Sequence, residues 1–124
     1  MKESVVKNKS FDFALSIIEL YKILQAQKEF ILSKQLLRSG TSIGANISEA
    51  LAGVSKADFS NKMAIASKEA RECLYWLQLL EKSNLVNFDF KPFIKDCEEL
   101  IKILTSIVKT TQNSTLKIKN KSKI

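Results

Sequence analysis

The feature that most constrains the fold is the spacing of Leu36, Gly40, Ile43, Ile47, Ala50 and Val54, which recur at intervals of four, three, four, three and four residues. Only an α-helix turns such positions onto one face, and a seven-residue repeat of this kind is the seam of a left-handed helical bundle. The spacing predicts a helix over residues 30–53.

Three further stretches have helical period. Ser10 reads as an N-cap before Phe11, Ala14, Ile17, Ile18, Tyr21 and Leu24, which predicts a helix over 10–27. Ser55, followed three residues later by Asp58, resembles a capping box. It opens a helix over 56–82 whose core face is Phe59, Met63, Ala66, Ala70, Cys73, Leu77 and Leu80. Pro92 suits a first helical turn, and Phe93, Cys97, Leu100, Ile101, Leu104, Ile107 and Val108 carry the period on, predicting a helix over 92–111. Short connections between long amphipathic helices force neighbours to run antiparallel. The expected fold is therefore all-α, an up-down-up-down antiparallel four-helix bundle with a short basic C-terminal tail. Three Gly and one Pro in 124 residues are too few turn residues for a sheet-rich alternative. The chain divides into a flexible basic N-terminus (1–9), the bundle (10–112) and a basic tail (113–124). The tail is read as frayed, or as a docking arm through Leu116, Ile118 and Ile124.

The second helix crowds Ser39, Gly40, Ser42, Gly44, Ala45, Ser48, Ala50, Ala52 and Gly53 into one segment. An interior Gly costs about 1 kcal/mol against Ala, so close approach by another helix is the expected compensation. Arg38, Ser42, Asn46, Glu49 and Gly53 share a stripe beside the apolar seam, whereas Leu37, Gly44, Ser48 and Leu51 lie on the far side. A helix with more than one face to bury points to subunit contacts. Glu69, Glu72 and Trp76 form a matching stripe on the third helix. Folding the two helices back on a turn at residue 55 places Arg38 opposite Glu72, with Glu69 one turn away. The expectation is a partly buried Arg38–Glu72 or Arg38–Glu69 ion pair, set against the alternative that these are solvated surface charges.

Several function classes fall on composition. The chain has no histidine, which removes the usual Ser-His and Cys-His nucleophile chemistry and the commonest metal ligand. Cys73 and Cys97 lie on different helices without CxxC spacing and are expected to be reduced core thiols. No catalytic, cofactor-binding or metal-ligating residue is expected, and the chain is read as a non-enzyme. No signal-peptide or membrane-spanning pattern is present, so a cytoplasmic location is expected. The formal net charge of +7 sits in the ends: residues 1–9 carry +2, residues 113–124 carry +4, and the remainder only +1. Lys2, Lys7, Lys9, Lys117, Lys119, Lys121 and Lys123 are thus the candidate contacts to a polyanion.

The runs QLLRSGTSIGANISEA (Gln35 to Ala50), SKADF (Ser55 to Phe59) and IASKEARECLYWL (Ile65 to Leu77) resemble the bacterial 23S rRNA intervening-sequence protein family, also labelled S23. The similarity covers about residues 10–111, and Arg38, Ser42, Asn46, Glu49, Glu69 and Glu72 match the family's polar signature. The family is also similar to the accessory variability protein of diversity-generating retroelements, a pentameric barrel associated with nucleic acid and a reverse transcriptase. The resemblance implies a homo-oligomer, a pentamer, with an RNA- or DNA-related role and a reverse transcriptase among the conceivable protein partners. Two functional readings follow. One is an oligomeric nucleic-acid-associated protein using the terminal lysines, and the other is a protein-interaction scaffold that binds no nucleic acid.

Overall fold

A computed structural model describes the backbone of residues 2–122 and the side chains of residue 3 and residues 5–113. Four helices follow in order: α1 (Lys2–Ala26), α2 (Leu32–Leu51), α3 (Lys56–Ser83) and α4 (Lys91–Ser122). Each packs on its neighbour in sequence, and α4 closes the bundle against α1. The neighbours are antiparallel. Gln27 exchanges two hydrogen bonds with the Asn87 backbone, tying the α1–α2 turn to the α3–α4 loop at one pole. At the other pole Glu3, the α2–α3 turn, Thr110 and Thr111 border one cleft.

The core is the expected one on α2, α3 and α4. Leu36, Gly40, Ile43, Ile47 and Ala50 are buried on α2, whereas Val54, which follows the end of that helix, is 96% exposed. Met63, Ala66, Ala70, Cys73, Leu77 and Leu80 are buried on α3, with Phe59 half-buried at its start. Cys97, Leu100, Leu104 and Ile107 are buried on α4, flanked by half-buried Phe93, Ile101 and Val108.

On α1 the buried face differs from the expected one. Val6, Ser10, Phe13, Ile17, Leu20 and Leu24 are buried, while Phe11 is 63% exposed and Ile18 is also exposed. The core direction is rotated by about 70° from the anticipated stripe at 100° per residue. Ser10 is not a cap but an interior residue whose hydroxyl donates to the Lys7 carbonyl at 3.0 Å. Because Val6 continues the buried stripe one turn before Ser10, residues 2–9 are the opening turns of α1 rather than a flexible terminus.

Other boundaries move as well, with α2 ending at Leu51 rather than at residue 53. The α2 helix begins at Leu32 instead of residue 30, because the Glu29 carboxylate accepts from the backbone N–H groups of Ile31, Leu32 and Ser33 and so caps its free donors. The α4 helix continues to Ser122 instead of ending near residue 111; residues 112–122 contain no Gly or Pro to stop it. The α3 start is as expected, with Ser55 Oγ accepting from the Asp58 N–H at 3.1 Å. Among the described residues no helix is long and apolar enough to cross a membrane.

Candidate functional site

The Gly residues of α2 answer to α1. A Cβ at Gly40 would lie 2.9 Å from Ile17 Cγ2, and one at Gly44 would lie 3.4 Å from both the Ser10 carbonyl oxygen and Ser10 Oγ. The close helix approach expected from the small residues therefore occurs within the chain. It seats α1 against α2 and leaves the outer flanks of both helices uncovered. Between those flanks runs a groove of about 770 Å³ bordered by Lys7, Asn8, Phe11, Asp12, Leu15 and Ile18 on α1, and by Thr41, Gly44, Ala45 and Ser48 on α2. Phe11, Leu15 and Ile18 are all exposed there. Periodicity alone did not reveal this groove, because α1 carries apolar residues on two flanks.

The polar stripes of α2 and α3 meet in the expected register. The Arg38 guanidinium contacts both Glu72 and Glu69, the latter at 3.2 Å, so the two pairings anticipated as alternatives coexist. Lys62 pairs with Glu49 at 2.9 Å farther along the same seam. The Asn46 amide donates to the Ser42 carbonyl, and the Ser42 hydroxyl donates to the Ser39 carbonyl, so these two side chains serve α2 itself. Arg38 is 51% exposed and Glu72 38%, whereas Glu69 is 17% exposed. The cluster is partly buried on its Glu69 side alone, and its Arg38–Glu72 half is a surface pair.

The cysteines are free and buried, as expected. They face each other across the α3–α4 seam. The adjacent Cys97 thiol, then burial, push the Cys73 thiol up from its ordinary value, while Cys97 Sγ donates to the Ala70 carbonyl at 3.3 Å. A buried thiol held protonated is a packing group rather than a nucleophile.

The candidate polyanion contacts distribute differently from their one-dimensional picture. Lys7 is exposed at the groove rim. Lys9 is paired with Glu99 at 2.8 Å, linking α1 to α4. The contact raises Lys9 and lowers Glu99 from their ordinary values, through the hydrogen bond and then the opposite charge. The side chains of Lys2, Lys117, Lys119 and Lys121, and all of Lys123, lie outside the described residues. The helix axis nevertheless carries residues 117–121 past the bundle, at the pole where α1 begins.

That topology gathers the charge. In the half of the bundle made by residues 2–14, 42–67 and 99–122, the sequence supplies Lys2, Lys7, Lys9, Lys56, Lys62, Lys102, Lys109, Lys117, Lys119 and Lys121 against Glu3, Asp12, Glu49, Asp58 and Glu99, the last paired with Lys9. The other half, residues 15–41 and 68–98, carries nine cations against eight carboxylates. No Asp or Glu follows Glu99, so α4 from Leu100 onward bears lysine as its sole charge. Lys102 and Lys109, both exposed, belong to this pole and were missed as candidates, although the acid-free run was readable.

Residues 2–106 match the family model described as 23S rRNA-intervening sequence protein. The chain is also similar to a solved structure of a protein of unknown function from the S23 ribosomal protein family of Bacteroides thetaiotaomicron. The two share 52% identity with a TM-score of 0.83, over 88% of this chain and 99% of that one. No functionally curated protein matches the sequence.

Proposed function

Since the chain belongs to the 23S rRNA-intervening sequence protein family, we propose that it is a non-enzymatic homo-oligomer, with five copies the expected number, that associates with RNA or DNA through the lysine-rich pole. The observation that carries this reading is the charge asymmetry. The bundle's surplus lysines collect at one pole, and α4 projects beyond that pole on an acid-free run. Such a surface neutralises phosphates and releases their counterions without reading sequence. Five copies of a +7 chain would present about +35, so weak contacts would add through multivalency. The lack of histidine favours a binding role over hydrolytic chemistry.

The test is a fluorescence-anisotropy titration with RNA and DNA oligonucleotides of mixed sequence across a salt series, on the full chain and on a variant ending at residue 111. The expected result is an affinity that falls linearly in log salt, with a shallower slope in the shortened variant. No binding at low salt by a folded full-length protein would sink the reading. The small-residue flank of α2 and the carboxylates of α3 would then favour a protein-interaction scaffold.

A further inference from the structure

Resting on the nucleic-acid association in that reading, we propose that the binding surface runs on from the lysine pole along the outer α3–α4 seam to Arg71, which clamps a phosphate of the RNA or DNA backbone. The chain has two arginines, and their surroundings are opposite. Arg38 is neutralised by two carboxylates, whereas Arg71, exposed on α3, donates from Nη2 to the uncharged Thr105 hydroxyl of α4 at 3.0 Å. That bond holds the guanidinium in place without cancelling its charge. The rest of its planar fork is left to solvent, and such a fork takes a phosphate in two parallel hydrogen bonds.

Helical spacing brings more cations to the same seam. Lys68 lies three residues before Arg71, while Lys102 and Lys109 lie three before and four after Thr105, and all three are exposed. None of the ion pairs among the described residues involves these four cations. The nearest carboxylates turn elsewhere: Glu69 and Glu72 go to Arg38 on the α2 side, and Glu99 goes to Lys9 on the α1 side. Glu98, two turns back along α4 from Thr105, closes the carboxylate-free stretch. From Lys102 the axis of α4 rises about 28 Å to Lys121, so seam and overhang form one continuous track. Exposed positions along it, Ala64, Lys68, Lys102, Thr105 and Lys109, offer no bulky apolar side chain. A protein partner would lack an anchor there, whereas a phosphate backbone needs none.

The decisive experiment titrates mixed-sequence RNA and DNA oligonucleotides with the full chain across a salt series, beside Arg71→Gln, Arg71→Lys, Thr105→Val, Thr105→Ser and the control Lys34→Gln. Helical circular dichroism and cooperative melting verify the fold of each variant. Arg71→Gln should weaken binding by roughly tenfold and lower the slope of log affinity against log salt by about 0.7–0.9. Arg71→Lys should keep the slope but lose affinity, because a point charge replaces the fork. Thr105 is a positioning residue, so Thr105→Val should lose affinity at unchanged slope and Thr105→Ser, which keeps the hydroxyl, should restore it. Lys34→Gln, which removes as much charge as Arg71→Gln, should stay near the wild type. Binding by Arg71→Gln as tight as that by Lys34→Gln, or wild-type binding by both Arg71→Lys and Thr105→Val, would overturn the clamp while leaving the lysine-pole reading intact. No binding by the folded wild type at low salt would remove that reading, and the clamp with it.

Discussion

Gly40 and Ile17 are in such close contact that a methyl group at the glycine would sit 2.9 Å from Ile17 Cγ2 and 3.3 Å from its Cβ. Ile17 is fully buried and β-branched, so it has no rotamer into which to retreat. A methyl group at Gly44 would instead lie 3.4 Å from the Ser10 carbonyl oxygen and Oγ, which is ordinary contact.

The two glycines therefore respond oppositely to alanine. Gly40→Ala gains about 1 kcal/mol of helix propensity but overpacks a filled site, at a cost of about 1–3 kcal/mol, for a net loss. Gly44→Ala gains the propensity without the clash and should raise chain stability by up to about 1 kcal/mol. Urea unfolding of the two variants, extrapolated to water, reads both signs. Equal destabilisation by the two would mean that α1 and α2 sit closer at Ser10 than 3.4 Å from that added methyl group.

The Arg38 cluster should divide unequally. A double-mutant cycle between Arg38→Ala and Glu69→Gln is expected to give a larger coupling than the cycle with Glu72→Gln, because Glu69 is the more buried carboxylate. Each lies at the scale of partly exposed pairs, about 1 kcal/mol or less. A coupling for Glu72 that matches or exceeds that for Glu69 would show that burial does not set the strength here.

Most of this architecture is legible in the sequence where one apolar face repeats without a break. The α2 seam from Leu36 to Ala50 and the α3 face from Met63 to Leu80 can be read directly because each recurs at three and four residues along its helix, although Leu37, Leu51, Leu74 and Trp76 lie off it. On α1 two apolar flanks coexist, and period alone does not say whether Phe11 and Ile18 or Phe13 and Leu20 face inward. The hydroxyl of Ser10, buried where α1 packs on α2 and satisfied by the Lys7 carbonyl, imitates a cap and hides the first turns of α1. The Arg38 cluster follows from antiparallel register alone. The charged pole does not, since lysines distant in sequence share a pole only after the four helices fold back on one another.

The Lys9–Glu99 contact predicts a pH window for the tether between α1 and α4. Glu99 is held below its ordinary 4.5, so its contribution is present above that value and fades as pH falls through the lowered one. Lys9 is held above its ordinary 10.5, so its contribution persists to that value and fades as pH rises through the raised one. Coupling between Lys9→Met and Glu99→Gln should therefore be detectable at neutral pH and absent in strong acid. A coupling that survives in strong acid would assign it to packing instead of charge.

If the lysine pole binds nucleic acid as a folded surface, the lysines inside the bundle must contribute along with those beyond it. Lys102 and Lys109 lie on α4 before the overhang and are exposed. Replacing both by Gln should weaken RNA and DNA oligonucleotides of every sequence to a similar degree, and lower the slope of log affinity against log salt by about 0.7–0.9 for each phosphate no longer neutralised. Lys34→Gln with Lys91→Gln removes the same charge from the nearly balanced half. Pure net-charge attraction would make the two double variants indistinguishable, whereas a localised surface makes only the first one weak. Salt-series titrations of both, run beside the variant ending at residue 111, separate binding along α4 from binding confined to its last turns.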